Sequence, residues 1–283
     1  MSTDASDARH GEVFDAVAEA YDRERPSYPP ELVEEACSIG GLGPGSQVLE
    51  VGCGTGKLTE ALVQRGLSVD AVDPGRNMIA FARRRTGDAA RFHVGRFEDV
   101  ALPDASFDAV FSATAFHWVD PSVGWARAAR VLRPGGMLAL LMFITYLDAE
   151  TGKNDQAIHE LFERHLPADE GLWRPLRDLP TLRAGCEDRA RDVSAVWTWL
   201  GHRDLTSPEA PSLFEDVRLS TAIDRREQTA DELWALFETT STYPRVEPGA
   251  REALRSELRQ TIDGLGGTLR SNELCVLVTA RGA

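Results

Sequence analysis

Val48-Leu49-Glu50-Val51-Gly52-Cys53-Gly54-Thr55-Gly56-Lys57 is the stretch that decides the reading of this chain. A short apolar run enters a turn with three alternate glycines and leaves into LTEALVQRG, whose apolar residues recur at three- and four-residue spacing. That order reads strand, turn, helix. Glycine tolerates positive φ and leaves the backbone bare, so a ligand can approach where a side chain would block it. A nucleotide-like ligand is expected there, and spacing narrows its class. A P-loop needs GxxxxGK followed by Ser or Thr, yet Val51 stands at the first glycine position and Leu58 follows the lysine. The dinucleotide pattern GxGxxG ends on Lys57 if it starts at Gly52, and on Thr59 if it starts at Gly54. Both fail, and E-x-G-x-G-x-G remains.

Outward from this turn, short apolar runs alternate with amphipathic stretches from Gln47 to Thr145, the pattern of a parallel sheet covered by helices. QVLEVG, SVDAVD, ARFHVG, FDAVFSA and MLALLMFI read as strands buried on both faces. LTEALVQRG, RNMIAFARRR and VGWARAARVL read as the helices between them, the last stopped by Arg133-Pro134-Gly135-Gly136. Upstream, residues 1–46 form a helical cover, VFDAVAEAYDRE and PELVEEACSI. Residues 146–212 break the alternation with charges, prolines and helical patches, and are expected to be a helical insertion that lids the acceptor. Residues 213–283 return to the sheet: VRLSTAIDRRE as a strand, a capping box at Thr229 to Glu232, a helix from Pro248 to about Gly264, and ELCVLVTA as a last, antiparallel strand.

Composition limits the function. The 283 residues with 42% hydrophobic content suffice for a full core. Forty-five acidic against 31 basic residues leave a net charge of −14, which repels phosphate backbones and anionic lipid, so neither nucleic acid nor membrane is an expected partner. No apolar run approaches the roughly 20 residues of a membrane span and the N-terminus is polar, so the expected location is the cytoplasm. Cys37, Cys53, Cys186 and Cys275 are scattered without a CxxC pair, and His159 and His165 miss the i, i+4 spacing, so no metal is expected.

Taken together, E-x-G-x-G-x-G, VDAVD ending on Asp73, Gly95-Arg96-Phe97-Glu98-Asp99, LPDASFDAVFSATAFHWVDP and LRPGGMLAL resemble, in order, the class I S-adenosylmethionine-dependent methyltransferases. FDAVAEAYDRERPSYP is similar to the helical cover of their small-molecule, trans-aconitate-type branch. The resemblance implies a Rossmann-like, doubly wound, seven-stranded sheet, mostly parallel with an antiparallel last strand, plus the helical insertion. It implies S-adenosylmethionine as cofactor and S-adenosylhomocysteine as product. Glu50, Gly52, Cys53, Gly54 and Gly56 would line the cofactor, with Asp73 on the ribose hydroxyls beside Pro74. Met78, Phe97, Glu98, Ala113 and Phe116 would surround the adenosine, and Tyr21 and Arg25 the methionine end. Independently, a sulfonium nucleoside without phosphate suits this set, because Asp73 can accept two hydroxyl protons and an apolar slot near Phe97 and Met78 suits a purine.

On the acceptor side, His117 in Phe116-His117-Trp118 follows the fourth strand, where α/β sheets bind ligands, and can serve as a base or as a packing residue. His117, Trp118, Trp173 and Trp199 are the candidate acceptor contacts, the tryptophans equally suited to pinning the insertion. The expected reaction is methyl transfer to an O, N or C nucleophile of a small molecule, by family analogy a secondary metabolite, in a monomer or homodimer. Two alternatives stay open: a protein of this fold that uses the cofactor without transferring the methyl, and a noncatalytic regulatory module.

Overall fold

The computed structural model describes residues 14–166, 175–201 and 203–283. In chain order the elements are α1 (Ala18–Glu24), α2 (Pro30–Gly40), β1 (Gln47–Val51), α3 (Lys57–Gln64), β2 (Ser68–Asp73), α4 (Arg76–Thr86), β3 (Ala90–Val94), β4 (Phe107–Ala113), α5 (Pro121–Val131) and β5 (Leu132–Thr145). They continue with α6 (Gly152–His165), α7 (Leu179–Glu187), α8 (Val193–Leu200), α9 (Ala210–Leu213), β6 (Phe214–Gln228), α10 (Ala230–Glu238), α11 (Pro248–Gly264) and β7 (Leu269–Gly282).

The seven strands lie in the order β3-β2-β1-β4-β5-β7-β6. Parallel pairing joins β3, β2, β1, β4 and β5, and β7 runs antiparallel between β5 and β6. The chain steps outward from β1 to β3 on one side, then crosses to β4 on the other. That reversal opens a crevice above the carboxyl ends of β1 and β4.

Successive strand residues point to opposite faces, and two cores follow. Leu49, Val51, Val110, Leu138 and Leu140 meet Trp125 of α5 and Trp197 of α8. Val48, Ala109, Phe111, Ala139 and Leu141 meet Leu32 of α2 and Leu58 and Leu62 of α3. The expectation of strands buried on both faces fails at β3, where Val94 is 41% exposed, because no strand pairs beyond this edge. β5 starts earlier than MLALLMFI: Leu132 already pairs with Phe107, the register shifts, and Met137 resumes opposite Ala109.

Residues 146–212 do not behave as one insertion. On α8, Val193, Val196, Trp197 and Leu200 are all buried in the first sheet core, together with Leu182 and Cys186 of α7. Only α6 turns away, and its Leu161 and Phe162 join Trp234 and Phe237 of α10 and Leu254, Leu258 and Ile262 of α11 in a third core. The cap thus draws on two separated stretches of sequence. α7 escapes sequence reading because it is only nine residues long and carries Gly185 in its interior. The capping box at α10 is present, with Thr229 and Glu232 bonding each other's backbone amides.

Among the described residues no helix is long and apolar enough to cross a membrane. Trp125 is 1% exposed and its indole N–H donates to the Leu205 carbonyl at 2.9 Å, tying α5 to the segment before α9. Trp125→Ala is expected to cost about 3–5 kcal/mol in urea denaturation, as a large void opens beneath α5.

Candidate cofactor and acceptor site

The glycine turn owes its shape to backbone angles that side chains rarely adopt: φ is +72° at Gly52, +52° at Gly54 and +83° at Gly56. A Cβ on Gly52 would stand 2.2 Å from that of Ala115, and one on Gly56 2.8 Å from that of Ala82, so these two are needed for packing. At Gly54 the nearest atom is the Tyr21 ring at 3.9 Å. The bare backbone there faces open space.

Asp73, the last residue of β2, fixes this turn. One carboxylate oxygen accepts the Gly54 amide at 2.9 Å and the other the Gly75 amide at 2.8 Å. Burial pushes its carboxyl up to about 6, against these two bonds, which favour the charged form. Each oxygen keeps a second lone pair for a hydroxyl. Lys57 donates to the Arg25 carbonyl at 2.6 Å.

Below the turn, Glu50 is 1% exposed and accepts the Thr59 hydroxyl at 2.6 Å. Burial pushes its carboxyl up to about 8.

A cleft of about 150 Å³ opens beside the turn. Tyr21, Arg25, Glu50, Gly52, Cys53, Gly54 and Ala113 line it, so seven of the expected residues meet there. Tyr28, Thr114, Phe143, Arg226, Leu236 and Glu273 also line it and were not singled out from sequence. Tyr28 donates to the Thr114 hydroxyl at 2.9 Å and stacks on Phe143 with centroids 5.5 Å apart. Thr114 holds φ +52°, a strained setting for a β-branched residue, at the carboxyl end of β4. Arg226 on β6 binds Asp224 at 2.6 Å and Glu273 on β7 at 3.1 Å. The signal for this wall was Glu273 itself, a carboxylate at the head of an apolar strand.

The remaining expected residues lie outside the cleft lining, and the N-terminal segment packs over some of them. Asp15 accepts the amides of Asn77 at 2.6 Å and Met78 at 3.1 Å, at the start of α4. Phe14 sets its ring edge against Tyr21 and Trp118, at 5.8 and 6.0 Å. Beneath lie Asp73 and Met78, while Pro74 is exposed. Phe97 is buried beside the Arg127 guanidinium. Glu98 accepts from Arg96 and from the Asp120 amide, joining the loops after β3 and β4. Burial opposes its charge, but these partners hold its carboxyl below the usual range. Phe116 is buried against Trp125, and His117 is half-buried beside Trp118, with rings 4.8 Å apart.

Trp199 is placed elsewhere. Its ring lies between the guanidiniums of Arg177 at 4.1 Å and Arg189 at 4.5 Å, and its N–H donates to Leu182. Trp173 falls outside the described residues. Among the described residues no His, Cys, Asp or Glu cluster could hold a metal ion.

These groups fit S-adenosylmethionine. A bare turn admits its backbone contact, Asp73 offers lone pairs to a diol, and Arg25 offers a positive charge to the carboxylate of an amino-acid tail. The cleft is smaller than the roughly 300–1000 Å³ of a complete ligand site.

Glu50 also sets a pH dependence of stability. A carboxyl raised to about 8 favours the folded state while protonated, so the ionised form destabilises it increasingly as pH rises from the ordinary carboxylate range through about 8. Glu50→Gln lacks this penalty. Its stability relative to the unmodified chain is expected to rise between about pH 5 and pH 9, by an amount of the order of a few kcal/mol, in urea denaturation series.

Residues 49–140 match the family described as "Methyltransferase domain". An uncharacterised methyltransferase of Mycobacterium tuberculosis is 44% identical over 128 residues, 45% of this chain and 51% of that protein, so the chain spans about half the length of such relatives. The malonyl-[acyl-carrier protein] O-methyltransferase of Hahella chejuensis is 30% identical over 240 residues, 78% of this chain and 83% of that protein. A solved structure from Anaeromyxobacter dehalogenans, proposed to be a type II methyltransferase, aligns with a TM-score of 0.59 at 25% identity, covering 92% of this chain and 97% of its own. With the seven-stranded sheet, the glycine turn and these kinships in agreement, the chain belongs to the class I S-adenosylmethionine-dependent methyltransferases.

Proposed function

We propose that this chain transfers the methyl group of S-adenosylmethionine to an O, N or C nucleophile of a small molecule. The observation that carries the reading is one cleft that begins at the glycine turn and ends at a wall of Phe143, Glu273 and Arg226, on β5, β7 and β6, three to five strands away from β2. With its ribose on Asp73, the cofactor would have Arg25 and Tyr21 at its methionine end, in the same cleft as that wall. When bound, the cofactor supplies a methyl group on a sulfonium, displaced in line by the acceptor.

The residues hold the partners in place. Asp73 accepts the ribose hydroxyls, Met78 and Phe97 flank the adenine, and Glu98 braces the loops beside it. Arg25 takes the methionine carboxylate from a position held by Thr239, whose hydroxyl and carbonyl accept its N–H groups at 2.9 and 3.2 Å. Much of the rate can come from such alignment. Tyr28, Phe143 and Leu236 exclude water around the acceptor. His117 is the proposed proton acceptor for a hydroxyl acceptor, on the strength of its place after β4; Trp118 beside it belongs to the cover. Relatives named for malonyl-carrier and for demethylmenaquinone methylation have unlike acceptors, so the acceptor here is read from the wall rather than from kinship. A secondary metabolite is the class we favour.

Incubation with methyl-labelled S-adenosylmethionine and a small-molecule library, read by mass spectrometry, is expected to yield a product heavier by one methyl together with S-adenosylhomocysteine. Bound cofactor without any methylated product would instead support a use of the sulfonium that stops short of transfer. Asp73→Ala is expected to weaken S-adenosylhomocysteine binding by about a hundredfold in calorimetry with an unchanged circular dichroism spectrum, since two charge-assisted bonds are lost. An unchanged affinity would remove the ribose assignment. His117→Ala is expected to lower turnover of a hydroxyl acceptor by about a hundredfold or more, and full activity at every pH would end its role as base.

A further inference from the structure

β6 is the last strand of the sheet, and among the described residues no strand lies beyond it. Its neighbour β7, paired on both sides, is buried without a break from Leu274 to Ala280, whereas every residue of β6 from Val217 to Gln228 keeps some exposure. The two faces of β6 are held. Glu35 of α2 accepts the Ser220 hydroxyl at 2.6 Å, and Arg183 of α7 donates to the Thr221 hydroxyl at 3.0 Å. The outer edge is left with the backbone groups that point away from β7, which is a template for another strand. In mid-strand, Ile223 is 41% exposed.

Charge and register indicate what this edge fits. Charges of one sign along an edge repel a second copy of the same strand. Here the run Arg218-Leu219-Ser220-Thr221-Ala222-Ile223-Asp224 is instead complementary to itself when reversed about Thr221. We propose that the outer edge of β6 pairs antiparallel with β6 of a second copy, across a two-fold axis at Thr221, so that one continuous sheet runs through a homodimer. Arg218 then faces Asp224 of the second copy, Leu219 faces Ile223, and Ser220 faces Ala222, each pair occurring twice. The inference is independent of what the cleft binds.

Neighbouring registers lose these pairs. A two-fold axis perpendicular to the sheet keeps each face common to both copies, so opposed residues share a face and the axis lies beside a single residue and its own copy. Moved to Ala222, the axis sets Arg218 against Arg226 of the second copy. Moved to Ser220, it sets Asp224 against the bulge at Asp216, where φ is +51° and the register with β7 shifts. From Arg218 to Gln228 the pairing with β7 is regular, so the pleat is even across the proposed ladder. Arg218 binds Asp216 at 2.7 Å and Asp224 binds Arg226 at 2.6 Å on their own strand. Both charges are therefore already matched, and what the second copy adds is alternation of sign across the interface, which selects the register. Arg226 also lines the cleft, so Asp224 links the dimer edge to the acceptor wall.

Analytical ultracentrifugation of the full chain tests this without any ligand. At about 100 µM the unmodified chain is expected to sediment with twice the 31.0 kDa mass of one chain. Arg218→Asp and Asp224→Arg each set like charges against one another at both ends of the ladder, and each is expected to weaken self-association about tenfold or more. Mixed in equal amounts, the two variants restore opposite charges and are expected to re-form the dimer, which a structural defect in either would not do. Ile223→Lys, at an exposed position, is expected to weaken the dimer as well and decides the matter should Asp224→Arg not fold. A monomer at every concentration overturns the proposal. So does a dimer that these substitutions leave intact, or a mixture of the two folded charge variants that stays monomeric.

Discussion

The rest of the site depends on the two bonds that the Asp73 carboxylate makes with the amides of Gly54 and Gly75. They join the turn after β1 to the turn after β2, and so fix the two strand ends over which we place the cofactor. A carboxylate placed at the end of a buried strand is costly without such donors. Here the donors are the backbone amides of Gly54, in its left-handed conformation, and of Gly75 at the start of α4, so turn and acid stabilise each other.

Around this centre the chain assembles from distant pieces. Arg85 of α4 holds Asp22 of α1 at 2.6 Å and Glu60 of α3 at 3.0 Å, and Arg25 reaches Thr239 after α10. The N-terminal segment is thereby fastened to α3 and α4 on one side and to the end of α10 on the other, and its Tyr21 and Arg25 line the cleft. Opposite, α6, α10 and α11 share a third core that also takes in Leu269 of β7, so Leu236 and Thr239 reach the site from helices anchored to the end of the sheet.

The parts legible in the sequence are those whose signal is local. The β1 turn, the strand closing on Asp73 and the capping box at Thr229 each depend on residues within a few positions of one another. β6 and β7 illustrate the opposite case. Nothing near Arg226 in sequence announces Glu273, and only antiparallel pairing brings Asp224 and Glu273 side by side. The split of residues 146–212 was hidden for a similar reason, since an apolar helix such as α8 does not say which core it enters. Trp199 misled because aromatic content alone does not separate an acceptor floor from a ring clasped by two arginines.

The central claim is that the cofactor lies from Asp73 across the glycine turn toward the β5–β7 wall. A crystal structure with S-adenosylhomocysteine bound measures this directly. The ribose hydroxyls should lie within hydrogen-bond distance of the Asp73 carboxylate, with the sulfur directed toward Phe143 and Glu273. A ribose bound away from Asp73, or a sulfur turned toward β3, would contradict it.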